Sequence, residues 1–244
     1  LTKVQLENMC GKLKERRSHK KLETRMKRIH VLLYVLAWLI CNPLVHGHVH
    51  IYPQKGNVSY EDRVENQPHV GGVFWLTGLS GAGKSTVASA VEKVLFDKGM
   101  RVVLLDGDTL RAGLNTDLGF TEKDRKENIR RTLEVAKLFE NTGHIVICSL
   151  ISPYRQEREL MKTQTRNGHE VYIKASVETC IKRDPKGLYK KALKGDIKNF
   201  TGISSPYEVP SAPSLIIDTE NLTQERAVES LIDFIIDKTQ KKES

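Results

Sequence analysis

The sequence predicts an α/β domain: a mostly parallel sheet of about five strands, helices on both faces, and a lid segment. Three observations predict it. From Val49 onward, short apolar and β-branched runs alternate with amphipathic stretches, the pattern of parallel strands joined by crossover helices. Gly78-Leu79-Ser80-Gly81-Ala82-Gly83-Lys84-Ser85 fits the phosphate-binding pattern G-x-x-x-x-G-K-S/T between one such strand and one such helix. An acidic turn, Asp106-Gly107-Asp108, follows the second strand, at the sheet edge where a phosphate loop also sits.

The elements follow in order. Val73–Thr77 is a short apolar run that reads as a buried strand. Ser85–Lys98 places Val87, Ala90, Val91, Val94 and Leu95 at helical spacing. Arg101–Leu105 gives the second strand. Thr121 followed by Asp124 marks a helix start, and the helix runs over Lys123–Thr142. His144–Leu150 is the third strand. In the next helix, Tyr154–Asn167, Pro153 suits the first turn and Ser152 is the expected N-cap. Glu170–Ala175 and Leu215–Asp218 complete the sheet, with a helix over Val177–Arg183 between them. A last helix, Gln224–Lys238, carries Ala227, Val228, Leu231, Ile232, Ile235 and Ile236 on one face. Asp184–Pro213 is rich in Lys, Gly, Pro and Ser with little periodicity. So long a loop in a compact domain is usually functional, and a lid over about residues 184–202 is expected.

The net charge of +9 is uneven. Residues 1–30 hold ten Lys/Arg against three Glu, so the rest of the chain is close to neutral. That argues against a nucleic-acid partner for the domain. Cys10, Cys41, Cys148 and Cys180 are widely spaced, which suggests neither a disulfide framework nor a zinc site and fits a reducing compartment. Residues 31–41 form an apolar run of eleven, short of the roughly eighteen residues needed to span a bilayer. Met26-Lys27-Arg28 before it looks like a signal-peptide start, but no small-x-small cleavage site follows and a basic stretch precedes it. Residues 1–48 are therefore set apart as a basic and apolar leader whose role, membrane contact included, stays open. The domain is placed at residues 49–240, in the cytoplasm.

The glycines of the phosphate loop let backbone N–H groups curl around a phosphate, and the helix N-terminus adds positive potential. Gly78 through Thr86 thus form a nucleoside triphosphate site, with Lys84 reaching the β/γ-phosphates and the Ser85 hydroxyl ligating magnesium. Asp106 and Asp108, two apart on one turn, can divide the work of orienting hydrated Mg2+ and accepting a proton from an attacking hydroxyl. A plain Asp-Gly turn is the competing reading. Arg125 and Asn128 lie three apart, on one helix face, where a guanidinium fork and an amide suit a phosphate or sulfate with its sugar. A solvated charged face is the alternative, and it is the reading kept for Lys123, Lys126 and Arg131. Lysines of the lid can cover phosphates or stay solvated. Phe200, flanked by polar residues and glycine, is unusual as core and reasonable as a stacking platform for a base.

Taken together, D-G-D-x-x-R from Asp106, D-R-x-E-N-I-R-R from Asp124, I-S-P-x-R from Ile151, D-P-K-G-L-Y-K-K-A from Asp184 and N-F-T-G-I from Asn199 closely resemble the adenylyl-sulfate kinase family. Pro206-Tyr207-Glu208 belongs to the same set, and the match runs from about Ile51 to about Thr219. The resemblance implies a P-loop NTPase-like fold, a homodimer, ATP as co-substrate with Mg2+, and phosphorylation of adenosine 5′-phosphosulfate at its 3′-hydroxyl. By that resemblance Asp108 is the base or orienting group. Arg111, Arg125, Asn128, Ile151, Ser152, Lys186 and Leu188 contact the acceptor, and Phe120 and Phe200 stack on its adenine. Ser152 also matches the serine described in the family as a phosphoserine intermediate. Thr109 and Ala112 replace the more usual Asn and His, which bears on the acceptor pocket. The rivals are a kinase for another small hydroxyl acceptor and a catalytically silent nucleotide-binding module.

Overall fold

A computed structural model describes residues 56–241. The leader of residues 1–48, with Cys10 and Cys41, lies outside the described residues. Five strands, β1 (Gly72–Thr77), β2 (Val102–Asp106), β3 (Ile145–Ser149), β4 (Gly168–Lys174) and β5 (Leu215–Asp218), form one sheet in the order β2-β3-β1-β4-β5. Every pairing is parallel. The sheet therefore has its strand C-termini along one edge, and helices cover its faces.

Period-two alternation of the strand side chains splits the core into two layers. Phe74, Leu76, Ile145, Ile147, Val171 and Ile173 point to one face, against α2 (Lys84–Asp97) and α8 (Gln224–Thr239) through Val91, Leu95, Leu231 and Ile235. Val73, Trp75, Val146 and Cys148 point to the other, against α4 (Glu122–Glu140) and α5 (Arg155–Gln164) through Ile129, Leu133 and Met161. The central strand β1 is buried at all six positions, which explains its unbroken apolar run. Each such side chain contributes about 1.5–3 kcal/mol on full burial. Cys148 and Cys180 are free and buried, and burial pushes the Cys148 thiol up.

Three short helices fall where the sequence pattern is silent: α1 (Tyr60–Glu65), α3 (Gly107–Ala112) and α7 (Leu188–Leu193); α6 spans Val177–Arg183 as expected. The helix placed at Tyr154–Asn167 is shorter, because Thr165 is extended and Asn167 instead joins the start of β1 through its carbonyl. Among the described residues no helix is long and apolar enough to cross a membrane.

Candidate active site

Gly78 to Gly83 turn from β1 into α2. Gly78, Gly81 and Gly83 all have positive φ, which L side chains adopt at a cost. A Cβ on Gly78 would lie 2.4 Å from the Ile173 carbonyl oxygen, so no other residue fits there. Gly83 caps α2 in the left-handed conformation, leaving the first N–H groups of this 14-residue helix facing the cleft without a side-chain cap. Gly78, Leu79 and Ala82 form the buried back of the loop. Ser80, Gly81, Gly83, Lys84, Ser85 and Thr86 face the cleft.

Lys84 is only 8% exposed. Its ammonium donates to the Gly78 and Leu79 carbonyls at 3.0 and 2.8 Å. Burial pushes its pKa down to about 8. A lysine held this way is a charge folded onto its own loop, waiting for an anion.

Asp106 is the N-cap of α3, so the acidic stretch is a helix start and not a plain Asp-Gly turn. Its two oxygens take different partners: Oδ1 accepts the Asp108 N–H at 3.0 Å, and Oδ2 accepts the Ser85 hydroxyl at 2.7 Å. The hydroxyl–carboxylate pair at the root of the phosphate loop is a hard-oxygen donor set. No group of three or more His, Cys, Asp and Glu placed to hold a metal ion occurs among the described residues. An ion held here would complete its shell with phosphate oxygens and water, which is the habit of magnesium. Asp108 projects into the cleft and pairs with Lys186 from the far wall.

Beyond Asp108, Arg111 lies 4.4 Å from the Phe120 ring centroid and Arg125 lies 5.7 Å from it. Phe120 itself is 60% exposed. Arg111 donates to the Leu118 and Gly119 carbonyls, and Arg125 donates to the carbonyls of Phe120 and Asn199. Partial burial lowers the pKa of both arginines. Asn128 is buried, and its Oδ1 accepts from the fully buried Asn115 amide at 3.0 Å. Ile151, Ser152, Lys186, Leu188 and Phe200 line the same cleft, whose volume is about 910 Å³.

Three expectations change. Ser152 is not an N-cap: Tyr154 occupies that position, and Ser152 sits at φ 45° with its Oγ accepting the Trp75 indole N–H at 2.7 Å. Pro153 disfavours helical geometry in the residue before it, and the helix starts two residues later. Phe200 is 8% exposed and packs edge-on against Tyr189 with centroids 4.9 Å apart, so it is core as well as cleft wall. The 184–202 segment is not an open loop. Within it α7 buries Tyr189 and Ala192, and Asp184 accepts the backbone N–H groups of Tyr189 and Lys190 at 3.0 Å. Arg131 behaves as surface charge, paired with Asp117 and Glu127.

The cleft has a second end that the sequence reading left out. Arg183, Thr219, Leu222, Thr223, Gln224 and Ala227 line it beside Gly83 and Val87. Thr219 donates to the Ala82 carbonyl at 2.8 Å, and Arg183 donates to the Thr219 carbonyl at 2.5 Å. The available signal was positional: Thr219 directly follows β5, at the C-terminal sheet edge.

A phosphate loop on a five-stranded parallel sheet, with a magnesium-suited pair and a charged second site facing it, defines a P-loop phosphotransferase. The family description "Adenylylsulphate kinase" matches residues 70–218. The adenylyl-sulfate kinase of Bacillus pumilus is 48% identical over 191 residues, covering 78% of this chain and 97% of that protein. That of Staphylococcus carnosus is 51% identical over 182 residues, covering 74% and 92%. Among solved structures, the Mycobacterium tuberculosis APS kinase CysC in complex with AMPPNP and APS superposes with a TM-score of 0.66 at 42% identity. It covers 70% of this chain and 99% of that one. A hexameric APS kinase from Thiobacillus denitrificans superposes at 0.52 with 32% identity, covering 70% and 29%. The chain belongs to the adenylyl-sulfate kinase family.

Proposed function

We propose that this chain transfers the γ-phosphoryl group of ATP to the 3′-hydroxyl of adenosine 5′-phosphosulfate, giving the 3′-phosphorylated sulfate donor and ADP. The observation that carries it is one cleft with two chemically distinct ends. At one end the Lys84 ammonium and the α2 N-terminus suit a triphosphate, and the wall from Thr219 to Ala227 suits its nucleoside. At the other, Arg111 and Arg125 flank an exposed aromatic ring beside Asn128. That set suits an anionic nucleotide better than a sugar acid.

Ser85 and Asp106 would hold Mg2+, which would supply neutralisation of the charge that builds up during transfer. Asp108 stands between the two ends. It orients the acceptor hydroxyl and takes its proton as the new P–O bond forms and the β–γ bridge bond breaks. Lys186 leaves Asp108 for the phosphates when substrates bind, and the 184–202 segment excludes water. Ser152 acts as a wall and not as a relay, its Oγ being engaged by Trp75; in-line transfer needs positioning and charge neutralisation only. We assign the working unit as a homodimer in the cytoplasm, which mass photometry and fractionation test. Asp108→Asn tests the catalytic assignment: turnover collapses while ATP binding persists.

A further inference from the structure

Arg158 is fully buried, yet none of its atoms enters the cleft as a lining group. Its Nε donates to Glu170 at 2.6 Å, its Nη1 to the Ser152 carbonyl at 2.5 Å, and its Nη2 to the Glu208 carbonyl at 2.6 Å. Glu170 is 2% exposed and takes Lys162 on its other oxygen at 2.6 Å. The guanidinium fork thus ties three separate segments together: β4, the corner after β3, and the stretch that follows the lid.

That corner is held from two further sides. Trp75 donates to Ser152 Oγ. The Thr77 hydroxyl, at the end of β1, donates to the Ile151 carbonyl at 2.7 Å and meets the Tyr207 hydroxyl at 2.9 Å. Glu208 closes the ring. Its N–H donates to the Pro153 carbonyl at 2.8 Å, and its carboxylate accepts the Arg155 N–H at 2.7 Å. Pro206-Tyr207-Glu208 therefore has a physical role as the second jaw on the Ile151–Pro153 corner.

A non-glycine residue at φ 45° is costly, on the order of 1–2 kcal/mol, and survives only where its surroundings over-determine it. Strand order says what the corner is for. β3 lies between β2, which ends in Asp106, and β1. Ile151 and Ser152 therefore face the Asp108 half of the cleft, with two strands, β1 and β4, between them and Thr219 at the end of β5.

Resting on the proposed reaction, we infer that Arg158 is a positioning residue: paired with Glu170, it fixes the left-handed Ser152 backbone and so the acceptor wall, and acts less on the ATP end, which this corner meets through the Ile151 carbonyl at Thr77 and, at 3.5 Å, Gly78. Losing it should loosen the acceptor selectively, since misplacement by about 1 Å can cost about a hundredfold.

The test uses the full chain and Michaelis constants for both substrates. Arg158→Met alone would leave the buried Glu170 carboxylate with only Lys162 of its two cationic partners and one oxygen without its donor, so it is combined with Glu170→Gln. The expected result is a KM for adenosine 5′-phosphosulfate raised about ten- to hundredfold, with KM for ATP within about twofold of the parent. Arg158→Lys should not rescue it, because an ammonium cannot fork to two carbonyls and a carboxylate. If the double variant does not fold, Trp75→Phe carries the test, removing one donor to Ser152 and predicting a smaller shift of the same selectivity. Equal changes in both constants, or lost active fraction with unchanged constants, overturn the positioning role. A parent chain that turns over a different acceptor overturns the assigned reaction instead, and the selectivity test then applies to that acceptor.

Discussion

Raising the pH should weaken nucleotide binding through Lys84, before any other group of the phosphate loop responds. In the empty loop burial holds this ammonium at a pKa of about 8, against roughly 10.4 for a free lysine. A bound triphosphate supplies the missing counter-charge and restores the higher value. The interval of about 2.4 units corresponds to about 3 kcal/mol at roughly 1.36 kcal/mol per unit, an upper bound on the coupling. At about pH 7 the empty-loop lysine is some nine-tenths charged, and at about pH 9 only about one-tenth. ATP should therefore bind about tenfold more weakly at the higher pH, with close to one proton taken up per nucleotide. Calorimetry in buffers of different ionisation enthalpy reads both numbers. Stability without nucleotide moves the other way. Folding lowers this pKa, so the cost of burying the charge is full below about pH 8 and disappears as pH rises to about 10.4. A dissociation constant flat across this range, with no proton uptake near pH 9, would refute the account of Lys84.

Other perturbations separate the remaining roles. Asp108→Asn keeps the carboxylate's shape but not its basicity; kcat should fall about 10²- to 10⁴-fold while the ATP dissociation constant stays near the parent value. Ser152→Ala should retain kcat within about tenfold and lose about 1 kcal/mol of stability through the lost indole hydrogen bond; a covalent relay would instead abolish turnover, as steady-state kinetics would reveal. Gly78→Ala drives a methyl into the Ile173 carbonyl at a positive φ, so nucleotide binding should fail and thermal unfolding should shift down by about 1–3 kcal/mol equivalent.

Much of the fold and of the candidate site was legible because it rests on strong local signals. The strands of β1 and β3 are continuous apolar runs, and the phosphate loop is punctuated by glycines that the backbone demands. Less legible was whatever depends on tertiary contact. The helix α7 is six residues long, too short to show a period, and its burial comes from the core beneath it. Ser152 looked like a cap because Ser-Pro commonly opens a helix; the contacts with Trp75 and Arg158 redirect it, and they come from 77 residues before and six residues after. Phe200 has polar neighbours in sequence but Tyr189 in space. The wall from Thr219 to Ala227 carries no motif, only a position at the sheet edge.

The most direct test of the central claim is to supply purified chain with ATP, magnesium and adenosine 5′-phosphosulfate and to resolve the nucleotides by chromatography. The account predicts equal amounts of ADP and 3′-phosphorylated product, with gluconate, shikimate and simple nucleosides inert as acceptors. ATP bound tightly without turnover, or faster ADP release with one of those other acceptors, would contradict it.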